Sequence, residues 1–272
     1  METIRSHDNS KIKHIKKLLV DKQYREEQHS FVAEGARWVY DALNFLTVNP
    51  VCAKETFRAV FVKESRAEAF AELIKTIKSN VGADKIFAVA DAVFDKISDT
   101  EHSQGILAEL GQPPNSISFQ SPHMLYLDRI RDPGNLGTII RTAIAAGYNY
   151  IILDNCADAF GPKVVRSTLG ALLKADIRMA WEGCIENLKS YAIDGSYQIF
   201  AADMNGENVF TFAQKPEKLC LIIGSEADGI RPELLKLADK TVSIPMQRTE
   251  SLNASVAAGI LMYQLSIKAR ND

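Results

Sequence analysis

Three stretches of the chain share one design: a strongly apolar strand-like run, a turn rich in Gly or Pro, and then the start of a helix. They are LYLDRIRDPGNLGTIIRTAIAAG (125–147), LIIGSEADGIRPEL (221–234) and VSIPMQRTESLNASVAAGI (242–260). In an open α/β sheet, ligands bind just beyond the carboxyl ends of the strands, where turns of this kind gather. Their chemistry is not that of the common nucleotide sites. Gly134 and Gly137 lack the third glycine of G-x-G-x-x-G, and no G-K-S/T follows a glycine-rich turn, which argues against a phosphate-cradling NTPase. Gly224 and Gly229 admit two readings. They permit tight turns, or they let backbone groups approach a flat ligand where a Cβ would intrude. His7, His14, His29, His102 and His123 show no ligand spacing with Cys, Asp or Glu, so no metal is expected. Ser167 and Ser225 lack a histidine partner, and a hydrolase triad is not supported.

The elements that must position these turns alternate along the chain. In the first part, Ile12, Ile15, Leu18 and Leu19 give residues 9–29 the pattern of one helix with a buried face. Strand patterns follow at 31–34, 59–62 and 86–90. Helices are expected after Gly35, over 65–78 with Ser65 as N-cap, and over 91–98. The second part alternates more strongly, with strands at 124–128, 150–154, around Ile199, at 219–224 and at 241–245. The intervening helices are expected at 135–146, 163–173, 232–238 and 252–267. YIIL and LCLII are apolar on both faces, which suits central strands of a covered parallel sheet. Between the parts, GQPPNSISFQSP (111–122) has the composition of a linker. The chain therefore reads as α/β, with domains at 1–110 and 123–272.

With 272 residues, 46% apolar and 24% charged, this is the composition of a folded globular protein, and a disordered chain is excluded. Its apolar runs are too short to span a bilayer and the N-terminus lacks a secretory signal pattern. Cys52, Cys156, Cys184 and Cys220 form no C-x-x-C pair, so reduced core thiols in a cytosolic protein are expected. A net charge of −2 does not announce a nucleic-acid binder, but six basic residues stand against one aspartate between Lys11 and Arg25. Such a helix could meet several phosphates, or be a solvated face.

Taken together, the three turns resemble the motifs of the SpoU (TrmH-type) branch of the SPOUT RNA methyltransferases. The matching patterns are N-x-G-x-x-x-R-T-A from Asn135, I-G-S-E-x-x-G-I from Ile223, and I-P-M from Ile244 followed by S-L-N-x-S-V-A from Ser251. The resemblance covers about residues 124–268. It implies a C-terminal SPOUT domain with a parallel sheet and a deep trefoil knot, which no general topology rule would propose. It also implies S-adenosylmethionine as methyl donor, a homodimer, and methylation of a ribose 2′-hydroxyl of rRNA or tRNA. The first part resembles the family's substrate-binding domain, a ribosomal-protein-like α/β module, through K-x-x-K-x-L, FVAEGARWV and HSQGILA (102–108).

On this resemblance Arg141 matches the catalytic arginine. A guanidinium is a poor base, so positioning a phosphate is its safer role. Asn135 is placed to bridge loops by hydrogen bonds, or to cap its helix. Glu226 could orient Arg141 or the substrate, or be a solvated loop residue. Ser251 and Asn253 fall beside the reacting groups, though either could merely cap the last helix, and Ser255 reads as helix packing. Gly224, Ile244 and Leu252 match adenosine contacts, with Met246 as a further apolar wall or a core residue. Lys13, Lys16 and Lys17 are the candidate RNA contacts. Two departures from the pattern, Arg131 and the absence of a Gly between I-P-M and S-L-N, would alter loop shape or RNA contacts. The alternative is an RNA-binding or ribosome assembly factor that keeps the fold without turnover.

Overall fold

Ile12, Ile15 and Leu18 lie on one side of the first helix, and each is fully buried among Phe61, Phe87 and Leu107 of a neighbouring sheet. The structure is a computed structural model that describes residues 2–48, 56–100, 102–113, 121–193, 197–212, 216–249 and 251–266. It divides into two compact units, residues 1–113 with 160–173, and residues 114–159 with 174–272. Most of the expected linker, with Cys52, lies outside the described residues.

The first unit is built from β1 (Glu2–Ile4), α1 (Ser10–Val20), α2 (Lys22–Gln28), β2 (Ser30–Glu34), α3 (Ala36–Val48), β3 (Phe57–Lys63), α4 (Ala71–Asn80), β4 (Ile86–Val89), α5 (Asp91–Phe94) and β5 (Ile106–Gly111). Its sheet runs β1-β4-β3-β5-β2, parallel across the first three strands and antiparallel at β5. The single helix expected over 9–29 is broken at Asp21. Its backbone N–H closes α1 on Lys17, while its side chain accepts the Tyr24 N–H and so starts α2. Ser65 is not an N-cap. It lies in a short 3₁₀ turn with its N–H donated to the Asp91 carboxylate, and the helix begins only at Ala71.

The remaining elements are β6 (His123–Asp128), α6 (Pro133–Ala146), β7 (Tyr150–Asp154), α7 (Pro162–Thr168), β8 (Asp176–Met179), α8 (Cys184–Ile193), β9 (Gln198–Asn208), β10 (Leu219–Gly224), α9 (Pro232–Leu235), β11 (Lys240–Ser243) and α10 (Ala254–Ser266). Of these, α7 packs with the first unit, where the Trp38 indole donates to the Val165 carbonyl at 3.1 Å and Arg166 pairs with Asp99 at 3.0 Å. The second unit's sheet is wholly parallel in the order β11-β9-β10-β6-β7-β8. The doubly apolar LCLII run of β10 lies at its centre beside β6, and the YIIL run of β7 lies one strand in from the edge, still paired on both sides. Register aligns Gly224 with Asp128 and Asp128 with Asp154, so three adjacent strands end level with one another. That alignment brings the following turns to one edge. α10 lies against α6, where Gly259 leaves room for the Thr142 methyl.

No helix among the described residues is long and apolar enough to cross a membrane. Burial pushes the thiols of Cys156 and Cys220 up to about 12, so at pH 8 both stay protonated in the folded state. Iodoacetamide at pH 8 is expected to leave both unmodified until urea unfolds the chain, as mass spectrometry of peptides would show.

Candidate functional site

The turn after β6 is prepared by local chemistry. The Asp132 side chain caps α6 by accepting the Asn135 N–H at 2.7 Å, and Pro133 occupies the first turn, where its missing N–H costs nothing. Asn135 is therefore not the cap, and its side chain is left free to reach across. Its Nδ2 donates to Glu226 Oε1 at 3.0 Å, in the turn after β10. Asn253, just ahead of α10, donates from Nδ2 to the same Oε1 at 2.8 Å and to Asn135 Oδ1 at 2.9 Å. The Ala254 N–H adds a third donor to Oε1 at 2.7 Å. One carboxylate oxygen thus gathers the three turns, through hydrogen bonds strengthened by its charge. Asn253 also caps α10, its Oδ1 accepting the Ser255 N–H at 3.0 Å and Ser255 Oγ at 2.6 Å. Bridge and cap are both realised in this one residue.

A second cluster, which the sequence reading missed, holds the strand ends beneath these turns. Asp128 is fully buried and accepts from the Arg231 N–H and Nε, both at 2.9 Å, and from Arg129 Nε at 3.3 Å. Arg231 also bonds Asp154, which in turn accepts from the Tyr126 hydroxyl at 2.5 Å. Arg129, in the left-handed region at φ 60°, donates to the Gly229 carbonyl at 3.3 Å. Burial and then the bond to Asp154 raise the Tyr126 hydroxyl far above its ordinary range, so it remains a donor. Buried charges are tolerated when paired in this way, and removing one partner is costly. The signal was present in LYLD and IILD, where an acid directly ends an apolar strand.

Gly224 sits in a tightly folded loop. A Cβ there would lie 2.3 Å from the Gly229 backbone, because the loop folds back on itself through the Gly229 N–H to the Ser225 carbonyl. A cavity of about 230 Å³ opens beside the bridge, lined by Arg129, Arg131, Asp132, Asn135, Glu226 and Ala254 among others. Its lining carries the carboxylates Asp132, Glu226 and Asp228 and the guanidinium groups of Arg129 and Arg131, charged groups able to orient a polar ligand. Ile244 and Leu252 are half-buried, Met246 is 40% exposed and Ser251 is exposed, all in the irregular segment between β11 and α10 and outside that lining.

Arg141 is not brought to Glu226. Six residues beyond Asn135 it points about 240° further round α6, where it is exposed and makes no ion pair or hydrogen bond among the described residues. In the first unit, Lys13 pairs with Asp8 at 2.9 Å, Lys17 Nζ sits 4.1 Å from the Tyr24 ring centroid, and Lys16 is half-buried. No group of three metal-ligating side chains occurs among the described residues.

Residues 122–263 match the SpoU rRNA Methylase family, and residues 9–108 match an MRM3-like substrate binding domain. The chain is 30% identical over 268 residues to the 23S rRNA (guanosine(2553)-2′-O)-methyltransferase RlmP of Bacillus subtilis, covering 97% of this chain and 99% of that protein. It is 28% identical over 217 residues to the 23S rRNA (guanosine-2′-O-)-methyltransferase RlmB of Neisseria meningitidis, covering 75% and 85%. Among solved structures, AdoMet-bound rRNA methyltransferase from Sinorhizobium meliloti superposes with a TM-score of 0.78 at 30% identity, covering 97% of each chain.

Two glycine substitutions separate the loop's constraints. Gly224→Ala drives a methyl into backbone, whereas Gly229→Ala has open space and meets only the cost of φ 63°, about 1–2 kcal/mol. Urea titration is expected to show the larger loss for Gly224→Ala.

Proposed function

Because the chain belongs to the SpoU rRNA methylase family, we propose that it transfers the methyl group of S-adenosylmethionine to a ribose 2′-hydroxyl of ribosomal RNA. The observation that carries this reading is the junction at Glu226, where Asn135 and Asn253 tie the three motif turns into one site. Both relatives described above act on guanosines of 23S rRNA, so a guanosine there is the first candidate target.

The residues suit the cofactor. A nucleoside needs apolar faces and backbone donors and acceptors, and the irregular segment after β11 offers Ile244, Met246 and Leu252 only partly covered. Gly224 would contribute through its backbone, since its own loop fills the space of a side chain. When bound, the cofactor supplies the electrophilic methyl. The protein's part is orientation. Asn135 and Asn253 hold Glu226, whose Oε2 makes no hydrogen bond among the described residues and is left to accept from the substrate. Ser251 steadies the ribose, and Arg141 grips its phosphate.

Arg141 faces away from its own Glu226, on a helix pair whose neighbouring α10 exposes Val256 at 49% and Tyr263 at 45%. Both features support a homodimer in which this face is covered and Arg141 serves the partner's site. We assign residues 1–110 to RNA binding, 111–122 to a linker, and 123–272 to a knotted SPOUT methyltransferase domain working in the cytoplasm. Lys13, Lys16 and Lys17 on the outward side of α1 are the first RNA contacts.

Incubation with tritiated S-adenosylmethionine and unmodified 23S rRNA, followed by nucleoside analysis, tests the reading. Labelled 2′-O-methylguanosine is expected. Tight RNA binding with no transfer would instead identify an assembly factor. Arg141→Ala is expected to lower turnover by orders of magnitude while calorimetry finds S-adenosylhomocysteine binding retained; equal loss of both would overturn its role. Replacing Lys13, Lys16 and Lys17 with Ala is expected to weaken RNA binding and flatten its salt dependence, by about one in slope for each phosphate no longer neutralised.

A further inference from the structure

The first unit contains a groove of about 510 Å³ beside α1, lined by Lys11, His14, Arg58, Lys85, Phe87 and Glu109 among others. Several basic side chains of this unit are paired with carboxylates: Arg5 with Glu64, Lys13 with Asp8, Lys22 with Glu26, Arg37 with Asp41 and Lys63 with Asp95. At the groove, Lys11 Nζ lies 4.8 Å from the Phe87 ring centroid and has no carboxylate partner among the described residues. Arg58 donates only to main-chain carbonyls, to Gln28 at 2.6 Å and His29 at 3.3 Å. Lys85 donates to the Phe57 carbonyl at 2.6 Å. Carbonyl bonds aim the Arg58 guanidinium without neutralising it, so together with Lys11 it keeps positive charge on the rim in set directions.

The floor has the opposite character. Glu109 is 6% exposed, its Oε1 held 3.0 Å from His14 Nε2, while His14 Nδ1 lies 2.8 Å from the Tyr24 hydroxyl. With Asp84 also on the wall, a carboxylate deep in a basic groove repels a phosphate from the floor and suits an N–H edge. A ligand with phosphates at its margin and N–H donors on a flat interior edge is a nucleotide whose base is not paired.

We propose that this groove holds an unpaired nucleotide of the RNA substrate, with Lys11 and Arg58 on its flanking phosphates and the Glu109 carboxylate accepting from its base. The inference rests on the RNA methyltransferase reading and extends the basic face of α1 into a concave site. The full chain is titrated against a fluorescein-labelled RNA hairpin with an unpaired loop and against its fully paired counterpart, over a range of salt. Wild type is expected to prefer the hairpin. Lys11→Ala combined with Arg58→Ala is expected to weaken hairpin binding several-fold and to flatten the salt slope, by about 0.7 for each single-strand phosphate no longer neutralised. Lys11→Ala alone, at an exposed position, gives the same direction should loss of Arg58 disturb the fold.

Glu109→Gln supplies the sign test. Removing a negative charge strengthens phosphate binding, so a fall in affinity with an unchanged salt slope marks a base contact. Unchanged or tighter binding by Glu109→Gln overturns the base contact, and unchanged binding by the lysine and arginine variants overturns the groove; either result leaves the methyltransferase reading standing. A wild-type chain that binds neither RNA but still transfers methyl groups to 23S rRNA overturns the groove alone, and one that does neither overturns both.

Discussion

A single carboxylate oxygen, Glu226 Oε1, receives N–H donors from Asn135, Asn253 and Ala254. Each donor belongs to a turn that is distant in sequence from Glu226. Each turn taken alone is an ordinary strand-to-helix connection, two of them with a side-chain cap, Asp132 and Asn253. Held together, they enclose a cavity whose polar groups already point inward, and a site that works by orientation depends on that arrangement existing before the ligand arrives. The charge on Glu226 makes the junction stronger than neutral amides alone would provide.

That junction can form only because the strands beneath it end together. The parallel register sets Gly224, Asp128 and Asp154 side by side, and the buried ion network of Asp128, Arg231 and Asp154 locks the ends in place. Charges in such a position are costly unless fully paired, which gives the network specificity: a slipped strand would leave an unpaired carboxylate in the interior. Gly224 imposes a related restriction by packing its loop backbone to backbone. The result is a rigid platform under turns that carry the chemistry. Arg141 stands apart from this platform on the outward face of α6, so the site gathers its parts at two levels, within one chain and, on the reading proposed above, across a pair of chains.

The first unit uses charge differently. Several of its surface cations are matched by nearby carboxylates, and such pairs in water contribute little to stability. Beside α1 the Arg58 guanidinium is tethered by main-chain carbonyls and the Lys11 ammonium lies against a ring, and neither meets a carboxylate among the described residues. On the inference proposed above, RNA binding by a chain of net charge −2 depends on where charges are left unmatched more than on how many there are.

The bridging capacity of Asn135 was read from the resemblance, and the bridge made by Asn253 appeared only in the structure. The α/β class, the central place of LCLII and the capping of the last helix by Asn253 were legible from residue order, because buried strands and helix starts depend on nearest neighbours along the chain. So was the buried face of α1. The Asp21 break was not, since one aspartate closing one helix and opening the next leaves the apolar spacing undisturbed. Ser65 misled for the opposite reason: its N–H found a partner in Asp91, 26 residues away. The Asp128–Arg231–Asp154 network, the self-packing of Gly224 and the separation of Arg141 from Glu226 were decided by tertiary structure alone. Each depends on which strands become neighbours and at what register, and pairing between distant segments is set by the whole core and not by any local run of residues.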